Sequence, residues 1–216
     1  MINKGKFITF EGGEGSGKST QIKMLSEYLK QKDYDLITTK EPGGTELGVE
    51  LRKILITGDK DKMDAITEAL LFFADRHHHL TDKILPALSN GMWVLSDRFA
   101  DSTFAYQYYG HQARVSEENL RYLYKIAVGD FKPDLTIVLD IEPELGLKRS
   151  FAKSENEKNK ELRFENIDID FHKRLRNGFL KIAEREPDRC VVLNADKTIE
   201  ELHQDIVKVV SERFYI

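Results

Sequence analysis

The chain has 216 residues, a formal net charge of −4 and a charged fraction of 32%. A chain of this length can bury the core of one ordinary domain without disulfides or a structural metal. Its acidic balance argues against a nucleic-acid-binding surface, because neutralising phosphates requires a basic face. A mildly acidic protein can still bind small anionic ligands where its arginines converge in one cleft.

The single cysteine, Cys190, lies in the apolar run of residues 190–193. We interpret it as a reduced core residue rather than a nucleophile, and one cysteine excludes a disulfide framework. No apolar stretch approaches about 18 residues, and the first predicted strand begins close to the N-terminus. We therefore expect a soluble, cytoplasmic protein without a membrane association.

Five short apolar runs, separated by helical patterns, predict five β-strands. They cover residues 6–11, 36–40, 92–97, 135–141 and 190–194. Their hydrophobicity is continuous rather than alternating, which is typical of strands covered on both faces, and the βαβα order implies a parallel sheet with right-handed crossovers. The sequence thus predicts an α/β fold, and we expect one domain over residues 1–216.

Residues 12–19, Gly-Gly-Glu-Gly-Ser-Gly-Lys-Ser, follow the first predicted strand and fit the phosphate-binding P-loop pattern G-x-x-x-x-G-K-[ST]. Apolar residues at helical spacing come after them. Glycines let backbone N–H groups converge on an anion, and the helix start adds the positive end of its dipole. We expect Lys18 to reach the β- and γ-phosphates of a nucleotide and Ser19 to ligate Mg²⁺.

Capping residues mark the starts of three further helices. Thr67, followed by Glu68, predicts the start of one helix, Ser116 the start of another, and Thr198 with Glu201 forms a capping box at the last.

A P-loop alone is compatible with GTPases, motor ATPases, helicases and kinases. The choice among them depends on four further stretches.

Two of these stretches flank the expected ligand crevice. Glu41 and Pro42 end the second strand, where open α/β sheets bind ligands, although Pro-Gly-Gly is also ordinary turn chemistry. The glutamate can hold a sugar hydroxyl or an arginine equally well. Phe72 and Arg76, four residues apart, share a helix face suited to stacking on a planar base and donating to its carbonyl. A core Phe with a surface Arg is the alternative.

The third stretch follows the third predicted strand. Asp97, at the strand end beside the P-loop, can hold Mg²⁺ through water, and Arg98 can clamp a phosphate with two parallel hydrogen bonds. Thr103, Tyr106 and Gln107 then offer hydroxyl and amide groups on successive turns.

The fourth stretch is a polar run of mixed charge at residues 153–161, which composition predicts to be a mobile surface loop. It lies between Arg149 and Arg163. In a phosphoryl-transfer enzyme, Arg149, Lys153 and Arg163 would close over the transferring group, so we expect a lid within residues 149–166. A solvated charged loop remains the alternative.

Taken together, these motifs resemble the thymidylate kinase family over essentially the whole chain. The resemblance is carried by residues 11–20, residues 41–45, Leu71 and Phe72 with Arg76, Asp97 to Phe99 with Ser102, Thr103 and residues 105–107, and residues 131–135. It implies transfer of the ATP γ-phosphoryl group to dTMP, giving dTDP and ADP for dTTP biosynthesis, with Mg²⁺. It also implies a P-loop fold whose five strands are ordered 2-3-1-4-5 between helical layers, and a homodimer formed through helices of residues 67–80 and 116–128.

The resemblance also implies a role for individual residues. The residues that would bind ATP are Gly12, Gly13, Glu14, Gly15, Ser16, Gly17, Lys18, Ser19 and Thr20. The residues that would bind dTMP are Glu41, Pro42, Arg52, Phe72, Arg76, Arg98, Ser102, Thr103, Tyr106 and Gln107. Mg²⁺ would be held by Ser19 and Asp97. The catalytic groups would be Lys18, Arg98, Glu14 and the cations Arg149, Lys153 and Arg163. Arg52 and Arg98 would grip the dTMP phosphate, Phe72 would stack on thymine, Arg76 and Thr103 would read its edge, and Tyr106 would crowd a ribose 2′-hydroxyl.

Glu14, where other members have arginine, resembles the bacterial subtype whose catalytic cations come from the lid. We expect Glu14 to orient a lid cation or the surroundings of the acceptor. Lys40 stands where the family more often has arginine, and the polar insert of the lid is longer than usual. Whether Lys153 or Arg163 is the catalytic cation of the lid therefore stays open.

One alternative function is another deoxynucleotide or nucleoside kinase on the same fold, but a nucleoside kinase would need a base to activate a neutral hydroxyl. The other is a nucleotide-dependent switch or partner-binding P-loop module, but a switch would need a residue that positions the hydrolytic water and, for GTP, an Asn-Lys-x-Asp type segment, which the sequence lacks. His77, His78 and His79 could suggest a metal site, but neighbours on a helix point to different faces. We interpret these histidines as a partly exposed helix surface near a subunit contact.

Overall fold

A computed structural model describes residues 5–59, 61–154 and 162–216, and the statements below concern these residues. The predicted strands are present as β1 (Phe7–Glu11), β2 (Leu36–Lys40), β3 (Trp93–Asp97), β4 (Leu135–Asp140) and β5 (Cys190–Asn194). They pair in parallel in the order β2-β3-β1-β4-β5, which confirms the expected fold class and strand order. Predicted and observed ends differ by at most one residue.

Helices lie on both faces of the sheet. In chain order, the helices of the described residues are α1 (Lys18–Gln31), α2 (Glu46–Ile56), α3 (Ala65–His79), α4 (Leu85–Ser89), α5 (Ala100–Thr103), α6 (Glu117–Val128), α7 (Pro143–Ser154), α8 (Ile169–Arg185) and α9 (Ile199–Phe214). A π-helical turn, Leu80–Ile84, joins α3 to α4, and another, Phe104–Gly110, continues α5. In the described part of the chain, no helix is long and apolar enough to cross a membrane.

Alternation along β1 sends side chains into two cores. Ile8 and Phe10 pack with α1 and α9, whereas Phe7 packs with Ile84, Val94 and Phe99 on the other face. All five residues of β1 are buried, but edge strands β2 and β5 are partly exposed. The expectation of strands covered on both faces therefore applies to the centre of the sheet.

The single thiol belongs to the core beneath α8. Cys190 is free and buried, and burial, followed by the negative charge of Asp101, raises the pKa of its thiol to about 12. It is therefore a protonated core group at neutral pH, as the sequence indicated.

Two of the three predicted helix starts are confirmed and one is wrong. Ser116 caps α6, and Thr198 with Glu201 forms the capping box of α9. Helix α3 begins before Thr67, because the carboxylate of Asp64 accepts hydrogen bonds from the N–H groups of Ile66 and Thr67 at 2.9 and 3.0 Å. Asp is a strong N-cap, so Thr67 lies in the first turn.

Strand register brings the sequence motifs to one edge of the sheet. Asp97 pairs with Phe10 of β1 and with Lys40 of β2. The segments that follow these three strands are the P-loop, the Glu41-Pro42 turn and Arg98. They therefore meet at the carboxyl edge, where α/β sheets bind ligands.

Candidate active site

The P-loop links β1 to α1 in a conformation that requires glycine. Gly15 has a φ of 65°, and a Cβ built there would lie 1.9 Å from the carbonyl oxygen of Gly146. The loop is therefore packed directly against the start of α7, and any side chain at Gly15 would displace backbone.

Lys18 spans the interior of this loop. Its ammonium donates to the carbonyl oxygens of Gly12 at 3.0 Å and Gly13 at 2.8 Å. Burial, followed by the nearby positive charge of Arg98, lowers the pKa of Lys18 to about 8. An anionic phosphate beside it would favour the charged form, because an opposite charge stabilises a buried cation.

A cleft on one side of the P-loop contains all ten residues predicted to bind the acceptor. They are Glu41, Pro42, Arg52, Phe72, Arg76, Arg98, Ser102, Thr103, Tyr106 and Gln107. Glu14, Lys18 and Asp97 line the same cleft. The structure therefore brings these residues together, although they come from distant parts of the chain; we call this space the acceptor cleft.

A second cleft lies along the outer side of the P-loop and the start of α1. It is lined by residues 15–21 together with Asp97, Arg149, Lys153 and Lys197. Gly15, Lys18, Asp97 and Ser150 line both clefts. Two ligands bound in these clefts would meet at the Lys18 ammonium; we call this second space the donor cleft.

Arg98 crosses the floor of the acceptor cleft. It donates to Gly12 O at 3.0 Å, Ser102 Oγ at 2.9 Å and the Tyr106 hydroxyl at 2.9 Å, and its Nη2 lies 3.4 Å from Glu14 Oε1. Arg98 has a φ of 73°, a left-handed conformation that a non-glycine residue rarely adopts. The local backbone strain is offset by these four contacts and directs the guanidinium at the P-loop.

Within the described part of the chain, Glu14 contacts Arg98 and His172, and no contact with a lid cation is present there. Its Oε2 lies 3.4 Å from His172 Nδ1, and it accepts a short hydrogen bond from Tyr106. Burial would raise the pKa of Glu14, but the contact with His172 and the charge of Arg98 lower it to about 2. Glu14 was expected to orient either a lid cation or the surroundings of the acceptor. Its position in the acceptor cleft favours the second role.

Arg76 is buried, which differs from the surface position considered as an alternative. Its Nε donates to Glu41 Oε2 at 2.8 Å, and its Nη2 donates to Phe99 O at 3.0 Å. Glu41 therefore holds an arginine and does not turn toward a sugar. Among the described residues, Arg76 Nη1, Thr103 Oγ1 and Gln107 Oε1 have no hydrogen-bond partner, and these residues line the acceptor cleft.

The expected partly exposed surface holds for His77 and His78 on α3 but is wrong for His79. His79 is fully buried, with Nδ1 2.9 Å from Glu41 Oε1 and Nε2 2.6 Å from Thr39 Oγ1. It therefore supports Glu41 from behind and so fixes Arg76. No group of three metal-ligating side chains was found in the described residues.

Arg163 also lies where the sequence did not predict it. It is buried, donates to Leu55 O at 2.8 Å and Asp59 O at 3.2 Å, and forms an ion pair with Glu68. A buried carboxylate attracts this guanidinium away from the phosphate groups. Arg149 and Lys153 do line the donor cleft, whereas residues 155–161 of the expected mobile loop and lid lie outside the described residues.

Sequence reasoning missed several groups at the site. Glu11, buried at the end of β1, accepts from the Phe99 N–H at 2.8 Å and from Ser102 Oγ at 2.6 Å. Its place directly before the P-loop was a signal that could have been used. Glu165, which lines the acceptor cleft, and His172, which contacts Glu14, carried no such signal, because both come from the chain after the polar run.

The residues expected to hold Mg²⁺ suit that ion. Ser19 and Asp97 together line the donor cleft and a shallower depression beside β2. A hydroxyl and a carboxylate are hard oxygen ligands, and Mg²⁺ in phosphoryl-transfer sites completes its shell with water and phosphate oxygens. The donor set therefore fits the group.

Known proteins resemble this chain over nearly its full length. The model of the family described as thymidylate kinase matches residues 10–206. The chain is 46% identical to the thymidylate kinase of Maridesulfovibrio salexigens, over 96% of this chain and 95% of that one. It is 44% identical to that of Bradyrhizobium sp. strain ORS 278, over 98% and 92% of the two chains. The crystal structure of thymidylate kinase from Ehrlichia chaffeensis has a TM-score of 0.75 and 33% identity, covering 95% of this chain and 98% of that one.

A sheet in this order, with a P-loop after its central strand and a second cleft facing the loop, defines a P-loop nucleotide kinase. Within that class, the chain belongs to the thymidylate kinase family. It phosphorylates dTMP to dTDP with ATP.

Proposed function

We propose that ATP occupies the donor cleft and dTMP the acceptor cleft, so that the γ-phosphoryl group passes between them beside Lys18. The observation that carries this proposal is the convergence of ten predicted acceptor residues in one cleft that shares Lys18 with the P-loop. The P-loop residues 12–20 bind the ATP phosphates through backbone N–H groups and the start of α1.

Two arginines hold the acceptor phosphate. Arg98 is held by its hydrogen bond to Gly12 O in the P-loop. Arg52 lies on α2, and its Nη1 donates to Pro42 O at 2.8 Å. The acceptor oxygen of dTMP is already anionic, so the barrier is mostly charge repulsion and misalignment. Fixed cations that align the two phosphates address both, and no general base is required.

The thymine base lies against Phe72 and faces the polar atoms that the fold leaves unpaired. Arg76 Nη1 can donate to a ring carbonyl, Gln107 Oε1 can accept from a ring N–H, and Thr103 offers a hydroxyl; among the described side chains these three atoms have no partner. Tyr106, on the π-helical turn, limits the space beside the sugar. The set suits a deoxynucleotide with a carbonyl next to an imino N–H.

Mg²⁺ would be held by Ser19 directly and by Asp97 through water, and it would neutralise charge on the β- and γ-phosphates. Arg149 and Lys153 line the donor cleft, and we propose them as the cations of a lid within residues 149–166. Both residues belong to α7.

The assignment is tested by a coupled ADP-release assay with ATP, Mg²⁺ and dTMP, dUMP, dCMP, dAMP, UMP or thymidine. Arg76→Ala and Arg76→Lys are compared with the wild type and with Lys208→Ala, whose lysine is exposed on α9. Preference for dTMP should be lost in both Arg76 variants and kept in the control. Unchanged base preference in Arg76 variants that remain folded would overturn the site assignment.

We further propose that the protein is a homodimer. Leu47 on α2, Ile66 and Leu70 on α3, and Tyr122 and Ile126 on α6 are large apolar side chains that are at least 49% exposed. Helices α2 and α6 each pack against α3, and we propose that these exposed side chains together form the subunit contact. Analytical ultracentrifugation of the wild type and of Ile126→Asp should give a dimer and a monomer, respectively.

We also keep the cytoplasmic location as a prediction. It follows from the use of ATP as phosphoryl donor, and cell fractionation would test it.

A further inference from the structure

Glu68 lies on the same face of α3 as the residues that face the base. It precedes Phe72 by four residues and Arg76 by eight, and the three side chains therefore form one stripe along the helix. Glu68 is only 1% exposed. It does not line the acceptor cleft but lies directly behind Gln107, which does.

The contacts of Glu68 fix the orientation of the Gln107 amide. Gln107 Nε2 donates to Glu68 Oε1 at 2.7 Å, and the other carboxylate oxygen pairs with Arg163. A carboxylate in an ion pair only accepts hydrogen bonds, so it binds the NH₂ end of the amide and not the oxygen end. Gln107 Oε1 is therefore turned away from Glu68, and within the described residues it has no partner.

This orientation gives the cleft a defined hydrogen-bonding pattern. Arg76 Nη1 is a donor and Gln107 Oε1 is an acceptor, both without partners among the described residues. Thymine offers a carbonyl oxygen beside an imino N–H, which matches this pattern. Cytosine offers an amine beside an unprotonated ring nitrogen, which opposes it at both positions. Buried polar groups left unpaired are a strong source of discrimination.

We propose that Glu68 is a positioning residue that sets the base specificity of this kinase by holding the Gln107 amide oxygen toward the substrate. The inference rests on the proposed placement of dTMP in the acceptor cleft. Glu68 touches no substrate and acts only through Gln107.

Arg163 takes a role in the same arrangement. Its contacts with Leu55 O and Asp59 O hold it beside Glu68, where it supplies the countercharge that a buried carboxylate requires. The residue that the sequence indicated as a phosphate-binding cation thus keeps Glu68 an obligate acceptor.

The test compares Glu68→Gln with the wild type, because a glutamine at this position can donate or accept and so allows Gln107 to turn over. We expect kcat/KM for dTMP to fall roughly tenfold or more, mainly through KM. The ratio of kcat/KM for dTMP to that for dCMP should fall roughly tenfold as well, with KM for ATP nearly unchanged. In a Gln107→Ala background, Glu68→Gln should leave that ratio unchanged, because the amide it orients is gone.

His111→Gln is the matched control. His111 Nε2 lies 3.8 Å from Glu68 Oε1, so the variant removes a neighbour of the same carboxylate and leaves the Gln107 hydrogen bond intact. Its dTMP to dCMP ratio should equal that of the wild type. If Glu68→Gln does not fold, Glu68→Asp keeps the charge opposite Arg163, shortens the reach to Gln107 and carries the same expectation.

Equal losses for dTMP and dCMP, or a further fall of the ratio in the Gln107→Ala background, would overturn the inference. Failure of the underlying site assignment gives a different result, because Arg76→Lys would then leave base preference unchanged.

Discussion

Arg98 and Glu14 meet on the acceptor side of the P-loop, with Arg98 Nη2 3.4 Å from Glu14 Oε1. The Tyr106 hydroxyl completes the arrangement, because it accepts from Arg98 at 2.9 Å and donates to Glu14. The acidic residue within the P-loop therefore fixes the cation proposed to hold the acceptor phosphate. In the proposed site, the charge of Arg98 would offset the repulsion between Glu14 and the phosphates.

Replacing Glu14 by glutamine should impair catalysis more than folding. Arg98 would lose its charged partner and its alignment, so we expect kcat to fall roughly 10- to 100-fold and KM for dTMP to rise. Steady-state kinetics with varied dTMP would measure both, with Glu212→Gln, an exposed change on α9, as the control. Unchanged turnover in Glu14→Gln would mean that Arg98 does not depend on this carboxylate.

Glu14 should also make the fold sensitive to acid. Despite the opposing effect of burial, the contact with His172 and the charge of Arg98 hold its pKa at about 2, below the ordinary 4.5. The folded state thus binds this proton less tightly than the unfolded state, and the stabilisation is present above pH 4.5 and lost as pH falls toward 2. Urea unfolding should show the wild type losing about 3 kcal/mol more than Glu14→Gln across this interval. Parallel pH profiles would contradict the prediction.

Replacing Lys18 by alanine should abolish most activity without unfolding the protein. The Lys18 ammonium lies at the junction of both clefts, and loss of one such fixed charge costs roughly 10²- to 10³-fold in kcat. Lys23→Ala, on an exposed position of the same helix, provides the matched control. Turnover assays with thermal melts of both variants would check it, and comparable losses in the two variants would argue against a specific role for Lys18.

The sheet was predictable because its signals are local. Each strand is a short apolar run, whereas the order of the strands in the sheet was implied by the family resemblance. The acceptor cleft was predictable as a set of residues through the family resemblance. Their partners were not, because burial decides them: Arg163 is drawn to Glu68, and His79 to Glu41, by contacts across 95 and 38 positions of sequence.

The same limit explains Glu14 and the start of α3. A lid cation was a reasonable partner for an acidic residue in a P-loop, but α8 brings His172 to it from far along the chain. At α3, Thr67 and Asp64 are both good caps, and which one begins the helix depends on the conformation of the preceding segment.

Glu11 should destabilise the fold as pH rises, the opposite of Glu14. Burial, followed by the negative charge of Asp101, raises the pKa of Glu11 to about 8. The folded state holds this proton more tightly than the unfolded state, so the contribution to stability is full below pH 4.5 and is lost as pH rises toward 8. We expect Glu11→Gln to show a smaller loss of melting temperature than the wild type between pH 5 and pH 8. An equal loss in both proteins would show that Glu11 does not titrate in this interval.

The three cations of the expected lid should separate into one structural and two catalytic groups. Arg163 is buried against Glu68, so Arg163→Ala leaves a buried carboxylate unpaired and should reduce the free energy of unfolding by about 3–5 kcal/mol. Arg149 and Lys153 line the donor cleft, and alanine variants of each should lower kcat while leaving the melting temperature nearly unchanged. Urea unfolding and steady-state kinetics on all three variants would distinguish the groups. Should Arg163→Ala instead keep its full stability and lose kcat alone, Arg163 would leave Glu68 during the reaction and contact the phosphates.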